Sequence, residues 1–346
     1  MNLNKLSLTE LLLEHKRLGI GEQIDFEKFY LYSIIAHSTA IEGSTVTEVE
    51  AQLLFDEGIA SSKRTVAEMN MNLDLKAAYD FGREWIAKHE AVTVESLIRL
   101  SAKVMARTGS EYHCAGGDFS AARGELRKLN VTAGLGGRSY MAFQKVQAAL
   151  TAFCEELNRR RKAVGPEDVI GIYELSFWAH YELVTIHPWA DGNGRMSRLL
   201  MNLLQMEFGV LPVKVLKEDK AAYIQALVDA REQEDTAIFI DCMMRLHSEH
   251  LRNDIDQYLS SVGEKMVNKS ELQKEMARKW SIKPSLAAKL ADVLEFASDK
   301  DELTTEQIVS HFGFTPTTAK RYLRQLTEFG YLVSRGGNRN RTYTKR

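Results

Sequence analysis

The sequence predicts an all-α protein in two domains, on three observations. Apolar residues recur at helical spacing along most of the chain. Five prolines in 346 residues leave long helices uninterrupted. The length exceeds what one simple core serves. Hydrophobic residues make up 45% and charged residues 27% of the chain, as in an ordinary soluble globular protein. The formal net charge of −2 offers no global attraction to nucleic acid or an anionic membrane. Three cysteines (Cys114, Cys154 and Cys242) are scattered and odd in number. They argue against a disulfide framework or a zinc cluster, and they fit a reducing compartment. The first eighteen residues mix leucines with Lys5, Glu10, Glu14, His15, Lys16 and Arg17, unlike a signal peptide. No apolar run approaches the roughly 18 residues of a membrane span. A cytoplasmic location without a membrane partner is expected.

Taken in order, Asp25 can cap a helix running through Phe26, Phe29, Tyr30, Ile34 and Ile41, with Gly43 just past its end. Thr47 and Glu50 form a capping box, so a second helix starts there and stops near Gly58. Helical patterns follow at about 65–88 and 94–107. Residues 124–142 break the pattern: 126–132 can be extended, 133–137 is a Gly-rich turn and 138–142 can return. We read a β-hairpin; a Gly-rich surface loop fits the same residues. A helix at about 143–161 precedes Gly165-Pro166-Glu167-Asp168, which opens another with Pro at its first position and acids in its first turn. That helix ends near Ile186, because Pro188 disfavours helix in the residue before it. Residues 252–285 are polar and helical, and Lys283-Pro284-Ser285 is a break. The expected division is 1–90 (N-terminal helices, including one at 25–43), 91–250 (core), 251–287 (helical linker) and 288–346 (a separate C-terminal domain).

The most informative stretch reads His187-Pro188-Trp189-Ala190-Asp191-Gly192-Asn193-Gly194-Arg195-Met196-Ser197-Arg198. Glycines at a helix start let the backbone approach a ligand, and the free N–H groups there attract anions. Arg195 and Arg198 add charge aimed at phosphate. Asp191 offers a hard oxygen ligand for Mg²⁺ carried by a nucleotide. His187, with an ordinary pKa near 6.5, can accept a proton at neutral pH. The set suits a hydroxyl deprotonated by His187 attacking a Mg²⁺-bound phosphate. Each part alone has a blander reading: a helix-end histidine, a tight turn, solvated arginines.

Residues 187–198 resemble the signature of the Fic (Fido) family, H-P-F-x-D/E-G-N-G-R-x-x-R. The resemblance implies a Fic helical bundle with a small β-hairpin flap over roughly residues 20–250. It also implies transfer of AMP from ATP to a Ser, Thr or Tyr hydroxyl of a protein. His187 would be the general base and Asp191 the Mg²⁺ ligand. Gly192, Asn193 and Gly194 would form the anion hole, and Arg195 and Arg198 would hold the outer phosphates. The chain departs from the family at Trp189, where Phe is usual, and at Met141-Ala142, which lacks the prolines common at the flap's end.

A second segment, Ser38-Thr39-Ala40-Ile41-Glu42-Gly43, is similar to the Fic-associated inhibitory pattern S/T-x-x-x-E-G/N. It implies that Glu42 pairs with Arg198, supported by Ser38 one turn earlier. An arginine neutralised by a carboxylate cannot also hold the γ-phosphate. In some relatives the same Glu helps water remove AMP, so removal of AMP, or transfer of another phosphate-linked group, stays open.

The C-terminal piece reads as a winged helix: a helix at 288–297, a second from a capping box at Thr304 and Gln307, and a turn at 311–314. A third helix is opened by Thr315 and Pro316 and ends at Gly330, before a hairpin wing at 331–343. Ala319, Tyr322, Leu323, Leu326 and Phe329 form the third helix's buried side, leaving Thr317, Lys320, Arg321 and Arg324 outside. From residue 315 on, eight basic residues (Lys320, Arg321, Arg324, Arg335, Arg339, Arg341, Lys345 and Arg346) stand against one acid, Glu328, a net +7. Lys320, Arg321, Arg324 and Arg339 are candidate DNA contacts; a protein-binding winged helix fits as well. The expected partners are ATP, an unidentified protein target, the chain itself as a target, DNA and a second copy in a homodimer. The alternative function is a DNA-binding regulator whose Fic domain senses nucleotide.

Overall fold

A computed structural model describes residues 3–23, 25–132, 139–298, 300, 302–337 and 341–345. The protein is mostly helical and divides into two compact units, Met1–Ile255 and Asp256–Arg346. None of the helices among the described residues is long and apolar enough to cross a membrane.

The first unit holds α1 (Leu8–Arg17), α2 (Phe26–Ile41), α3 (Glu48–Asp56), α4 (Val66–Ile86), α5 (Val94–Val104), α6 (Phe143–Ala163), α7 (Val169–Ile186), α8 (Asn193–Glu207) and α9 (Lys220–Glu232). The long helix α10 (Thr236–Lys279) begins in it. Capping boxes at Ser7/Glu10, Thr47/Glu50, Thr65/Glu68 and Thr93/Ser96 explain why four of these helices start where they do.

Helices α7 and α8 form the centre. On α7, residues from Ile172 and Tyr173 to Leu183 and Ile186 are buried on several faces, and α8 is buried at almost every position from Asn193 to Gln205. A helix apolar or buried all round belongs inside a domain. Around them pack Ile34 and Ile35 of α2, Leu75 and Tyr79 of α4, Leu97 and Leu100 of α5, and Leu150, Phe153 and Leu157 of α6. Gly82 marks the tightest approach of α4 to α8: a Cβ there would lie 2.5 Å from a methyl carbon of Leu203. Replacing it by alanine overpacks this contact, at a cost of about 1–3 kcal/mol.

Several local expectations are corrected. Asp25 stands at the N-cap of α2 but in the left-handed region (φ 59°), and its side chain caps nothing. Helix α7 begins after Pro166 and Glu167, with the Asp168 carboxylate accepting from the Gly171 N–H at 3.0 Å. Of the hairpin read at 126–142, the described residues carry an antiparallel bridge, Thr132 opposite Ser139, with the Tyr140 N–H bonded to the Val131 carbonyl; its turn at 133–137 lies outside the described residues. A small hairpin that the sequence did not announce, β1 (Glu111–Tyr112) with β2 (Phe119–Ser120), precedes it.

The second unit continues with α11 (Pro284–Ser298), α12 (Thr305–Phe312), α13 (Pro316–Glu328), β3 (Leu332–Arg335) and β4 (Thr342–Lys345). Pro284, read as a break, is the first residue of α11, where its missing N–H costs nothing. The Thr304/Gln307 box and the Thr315 cap hold α12 and α13. Strands β3 and β4 pair antiparallel with Leu332 opposite Lys345 and Arg335 opposite Thr342. Its own core gathers Leu290, Leu294, Ile308, Ala319, Leu323, Leu326 and Tyr343. Lys320, Arg321, Arg324 and Arg335 are exposed, with Arg324 3.5 Å from Glu328. Arg339 and Arg346 lie outside the described residues.

Candidate active site

The site is built where α7 stops and α8 starts. His187 ends α7 in the left-handed conformation (φ 52°, ψ 61°), and Pro188 follows it. Its Nδ1 lies 3.2 Å from the Val184 carbonyl oxygen, which can only accept. Nδ1 therefore carries the proton, and the lone pair is on Nε2. Burial, outweighing the Val184 hydrogen bond, brings the pKa of His187 down to about 4, with Arg127 and Arg231 pushing the same way and Asp191 against it. The ring is thus neutral at pH 7, as a base must be.

The loop after it is pinned by its own side chains. Trp189 is fully buried, and its indole N–H donates to the Gly124 carbonyl at 2.9 Å, a bond that a phenylalanine could not make. Gly124 must be glycine: φ is 70°, and a Cβ would lie 2.1 Å from the Ile98 carbonyl oxygen. The Asn193 side chain turns back on Trp189, accepting from its N–H (3.1 Å) and donating to its carbonyl (2.9 Å). Asn193 therefore closes the loop, and any part it takes in an anion hole falls to its backbone. Gly192 (φ 82°) is backed by Met105, and its N–H donates to Asp191 Oδ1 at 2.6 Å.

At the start of α8 the first N–H groups have no carbonyl one turn earlier to bond, and the helix dipole adds positive potential. Arg195 is 2% exposed, and its Nε and Nη1 have no hydrogen-bond partner among the described residues; its Nη2 lies 3.2 Å from Met105 Sδ and 3.6 Å from Asp191. Buried, unpaired donors of this kind are costly unless a ligand meets them. A nucleotide-borne Mg²⁺ needs one or two protein carboxylates. The Asp191 side chain, 59% exposed at the rim, fits that need, although no group of three or more metal-binding side chains forms among the described residues.

Arg198, by contrast, is fully engaged. Its Nε donates to Ser38 Oγ (2.8 Å), and its Nη2 donates to the Ser38 carbonyl (2.9 Å) and to Glu42 Oε1 (2.6 Å). Its Nη1 reaches the Tyr223 hydroxyl at 3.4 Å. Glu42 is the C-cap of α2, so the helix end delivers its carboxylate to the site. That carboxylate lies over the start of α8: a Cβ added at Gly194 would sit 2.5 Å from Oε1. Partial burial pushes the Glu42 pKa up, but the charge and hydrogen bond of Arg198, helped by Arg195 and Lys220, outweigh it and hold it below the usual range.

Five residues that the sequence reading passed over complete the arrangement. Arg127, 2% exposed, donates to the carbonyls of His187 (2.7 Å), Leu129 (2.8 Å) and Met141 (2.7 Å), lacing the flap stretch to the motif. Tyr140 stacks on the His187 ring, centroids 3.8 Å apart and planes 17° apart. Arg231 of α9 donates to the Ser139 carbonyl (2.7 Å) and lies 4.8 Å from the centre of the Tyr140 ring. Tyr223 of α9 bridges Arg198 to His180, whose Nε2 is 2.8 Å from its hydroxyl. Burial, then the charge of Arg198, drives His180 well below its ordinary pKa, so it is neutral. Of the five, only His180 had a local signal: it precedes His187 by seven residues on one face of a helix.

Residues 91–205 match the Fic/DOC family, and residues 286–336 match the IclR helix-turn-helix domain. The chain is 27% identical over 270 residues to a protein adenylyltransferase Fic of Drosophila persimilis, covering 76% of this chain and 48% of that one. It is 29% identical over 228 residues to one from Nematostella vectensis, covering 66% and 48%. The chain thus spans about half the length of the curated relatives it matches. Among solved structures, a Fic family protein from Desulfovibrio desulfuricans superposes with a TM-score of 0.58 at 19% identity, covering 98% of this chain and 95% of that one. Fic-1 from C. elegans gives 0.58 at 22%, covering 73% and 72%. These likenesses show the fold.

Proposed function

We propose that this chain, which carries a Fic/DOC family domain at residues 91–205, is a protein adenylyltransferase restrained by its own Glu42. One observation carries the reading. The Glu42 carboxylate sits on Arg198 at the N-terminus of α8, so an anion of the protein already fills a place built for an anion.

In the reaction, the hydroxyl of a protein Ser, Thr or Tyr gives its proton to His187 Nε2. Its oxygen bonds to the α-phosphorus of ATP, the bond from that phosphorus to the β-bridging oxygen breaks, and pyrophosphate leaves. His187 suits the step because it is neutral and its Nδ1–H is fixed on Val184. The N–H groups at the start of α8 and Arg195 hold the phosphate oxygens, whose charge grows in the transition state. Asp191 would hold Mg²⁺, which supplies charge neutralisation on the phosphates. Released from Glu42, Arg198 would hold the γ-phosphate and so align the α-phosphate. While Glu42 keeps it, ATP lacks that interaction.

Incubation with α-labelled ATP and Mg²⁺, alone and with cell lysate, tests the reading. Label on a protein, including the chain itself, supports transfer. Release of AMP from a labelled target without new labelling supports the removal reaction instead. A second role rests on the C-terminal unit. Its IclR-type match and the exposed Lys320, Arg321 and Arg324 on α13 favour DNA binding. Loss of the biological effect with His187→Ala would separate an enzyme from a nucleotide-sensing regulator.

A further inference from the structure

The adenylyltransferase reading leaves a group of residues unused on the flap side of His187. Tyr140 is stacked on the imidazole, and Arg231 grips Tyr140 from α9. Arg231 lies beyond residues 91–205, the part that matches the family. We propose that Arg231 and Tyr140 are positioning residues for the base: together they hold the His187 ring flat, with its Nε2 edge presented to the incoming hydroxyl.

An imidazole attached through one bond to a chain end can swing about that bond, and a base that swings spends little time aligned for proton transfer. The Val184 carbonyl fixes the ring at Nδ1. Arg127 fixes the backbone through the His187 carbonyl. Neither stops the ring from tilting; the Tyr140 face does, at 3.8 Å. Tyr140 is itself held in two ways: its N–H bonds the Val131 carbonyl, and the Arg231 guanidinium lies over its ring while bonding the neighbouring Ser139 carbonyl. A planar guanidinium can stack and donate at once, which a lysine cannot reproduce.

The arrangement also decides the proton affinity of the ring. The groups acting on it are Arg127 and Arg231, which disfavour the imidazolium, Asp191, which favours it, the Val184 carbonyl, and the covering Tyr140 ring, which keeps water away. Removing Tyr140 lets water in, and removing Arg231 takes away a repelling charge. Both changes raise the affinity of His187 for a proton.

This inference rests on His187 being the base, and its test needs no nucleotide, so failure of the adenylyltransferase reading is seen separately. The histidine ring signals of the labelled full-length chain are titrated by NMR, with His187 identified as the signal missing in His187→Ala. The midpoint should rise by about half a unit in Arg231→Gln and by about one unit or more in Tyr140→Ala, since burial is the larger effect. Tyr140→Phe keeps the ring and should leave the midpoint where it is in the parent. Arg231→Lys keeps the charge, so the midpoint should stay, while the ring's signals broaden as stacking is lost. If transfer is observed, the acid limb of its pH profile should move upward with the same variants. An unchanged His187 midpoint in folded Arg231→Gln and Tyr140→Ala overturns the proposal. So does a rise in Tyr140→Phe equal to that in Tyr140→Ala.

Discussion

Arg195 and Arg198 on α8, and Arg321 and Arg324 on α13, are two arginine pairs at the same i, i+3 spacing on a helix, in opposite surroundings. The first pair is 2–3% exposed and aimed at a site; the second is exposed on the surface. Sequence spacing is blind to this difference, because i, i+3 says only that two side chains share a helix face. Burial decides the meaning. A buried guanidinium without a partner carries a large desolvation cost, so it must be paired or waiting for a ligand. An exposed one costs little and attracts anions of any kind through screened charge. Within the first pair the contrast repeats: Arg195 has free donors, whereas Arg198 is held by Ser38, Glu42 and Tyr223.

The largest expected effect concerns the buried site. In a Glu42→Gly background, His187→Ala should lower AMP transfer by roughly two to four orders of magnitude, the usual worth of a positioned general base. ATP affinity by calorimetry should survive, because Arg195 and the start of α8 remain. If affinity and transfer vanish together, His187 holds the fold or the ligand and is not the base.

Acid should separate the two units next. His180, His187 and His247 are held neutral in the first unit, His187 to about pH 4 and His247 to about pH 3, chiefly by burial. The unfolded chain takes up protons near pH 6.5 that the folded one refuses. Stability is therefore full above about pH 6.5 and falls as the pH drops from there toward 4. For His247, 1% exposed, the loss is about 2 kcal/mol by pH 5. His311 in the second unit is exposed. Between pH 7 and pH 5 in calorimetry, the transition of the first unit should fall by more than that of the second. Transitions that shift equally would contradict the burial argument.

Smaller in magnitude is the test of the exposed pair. Affinity of the full chain for mixed-sequence duplex DNA should fall steeply with salt, and Arg321→Ala with Arg324→Ala should flatten the log–log slope by about 0.9 for each phosphate no longer neutralised. Thermal stability should hardly change, since both side chains are exposed. No salt-dependent mobility shift at low ionic strength would leave protein docking as the role of α13.

Local chemistry was legible in the sequence and long-range chemistry was not. Capping boxes at Thr47 and Thr304, the stop before Pro188 and the helix following Gly192 were readable, because each depends on residues within one turn. The Asp25 cap fails because a left-handed backbone there withdraws its side chain from the helix start. Ser38, Glu42 and Arg198 could be placed together only through their resemblance to a known pattern. Arg127, which bonds a carbonyl 60 residues away, and Arg231, which bonds one 92 residues away, had no such pattern and were invisible. The position of Asn193 suggests an anion hole, and only the fold shows that its side chain is spent on Trp189.

The central claim is that Glu42 restrains the chain by holding Arg198 at the anion site. Transfer of label from α-labelled ATP, onto the chain and onto lysate proteins, should be compared in wild type and Glu42→Gly at pH 7. A charge-assisted hydrogen bond is worth about 1.5–3 kcal/mol, so its release should raise transfer about 10- to 100-fold. Equal transfer in the two proteins, with both folded and both binding ATP, would contradict the restraint.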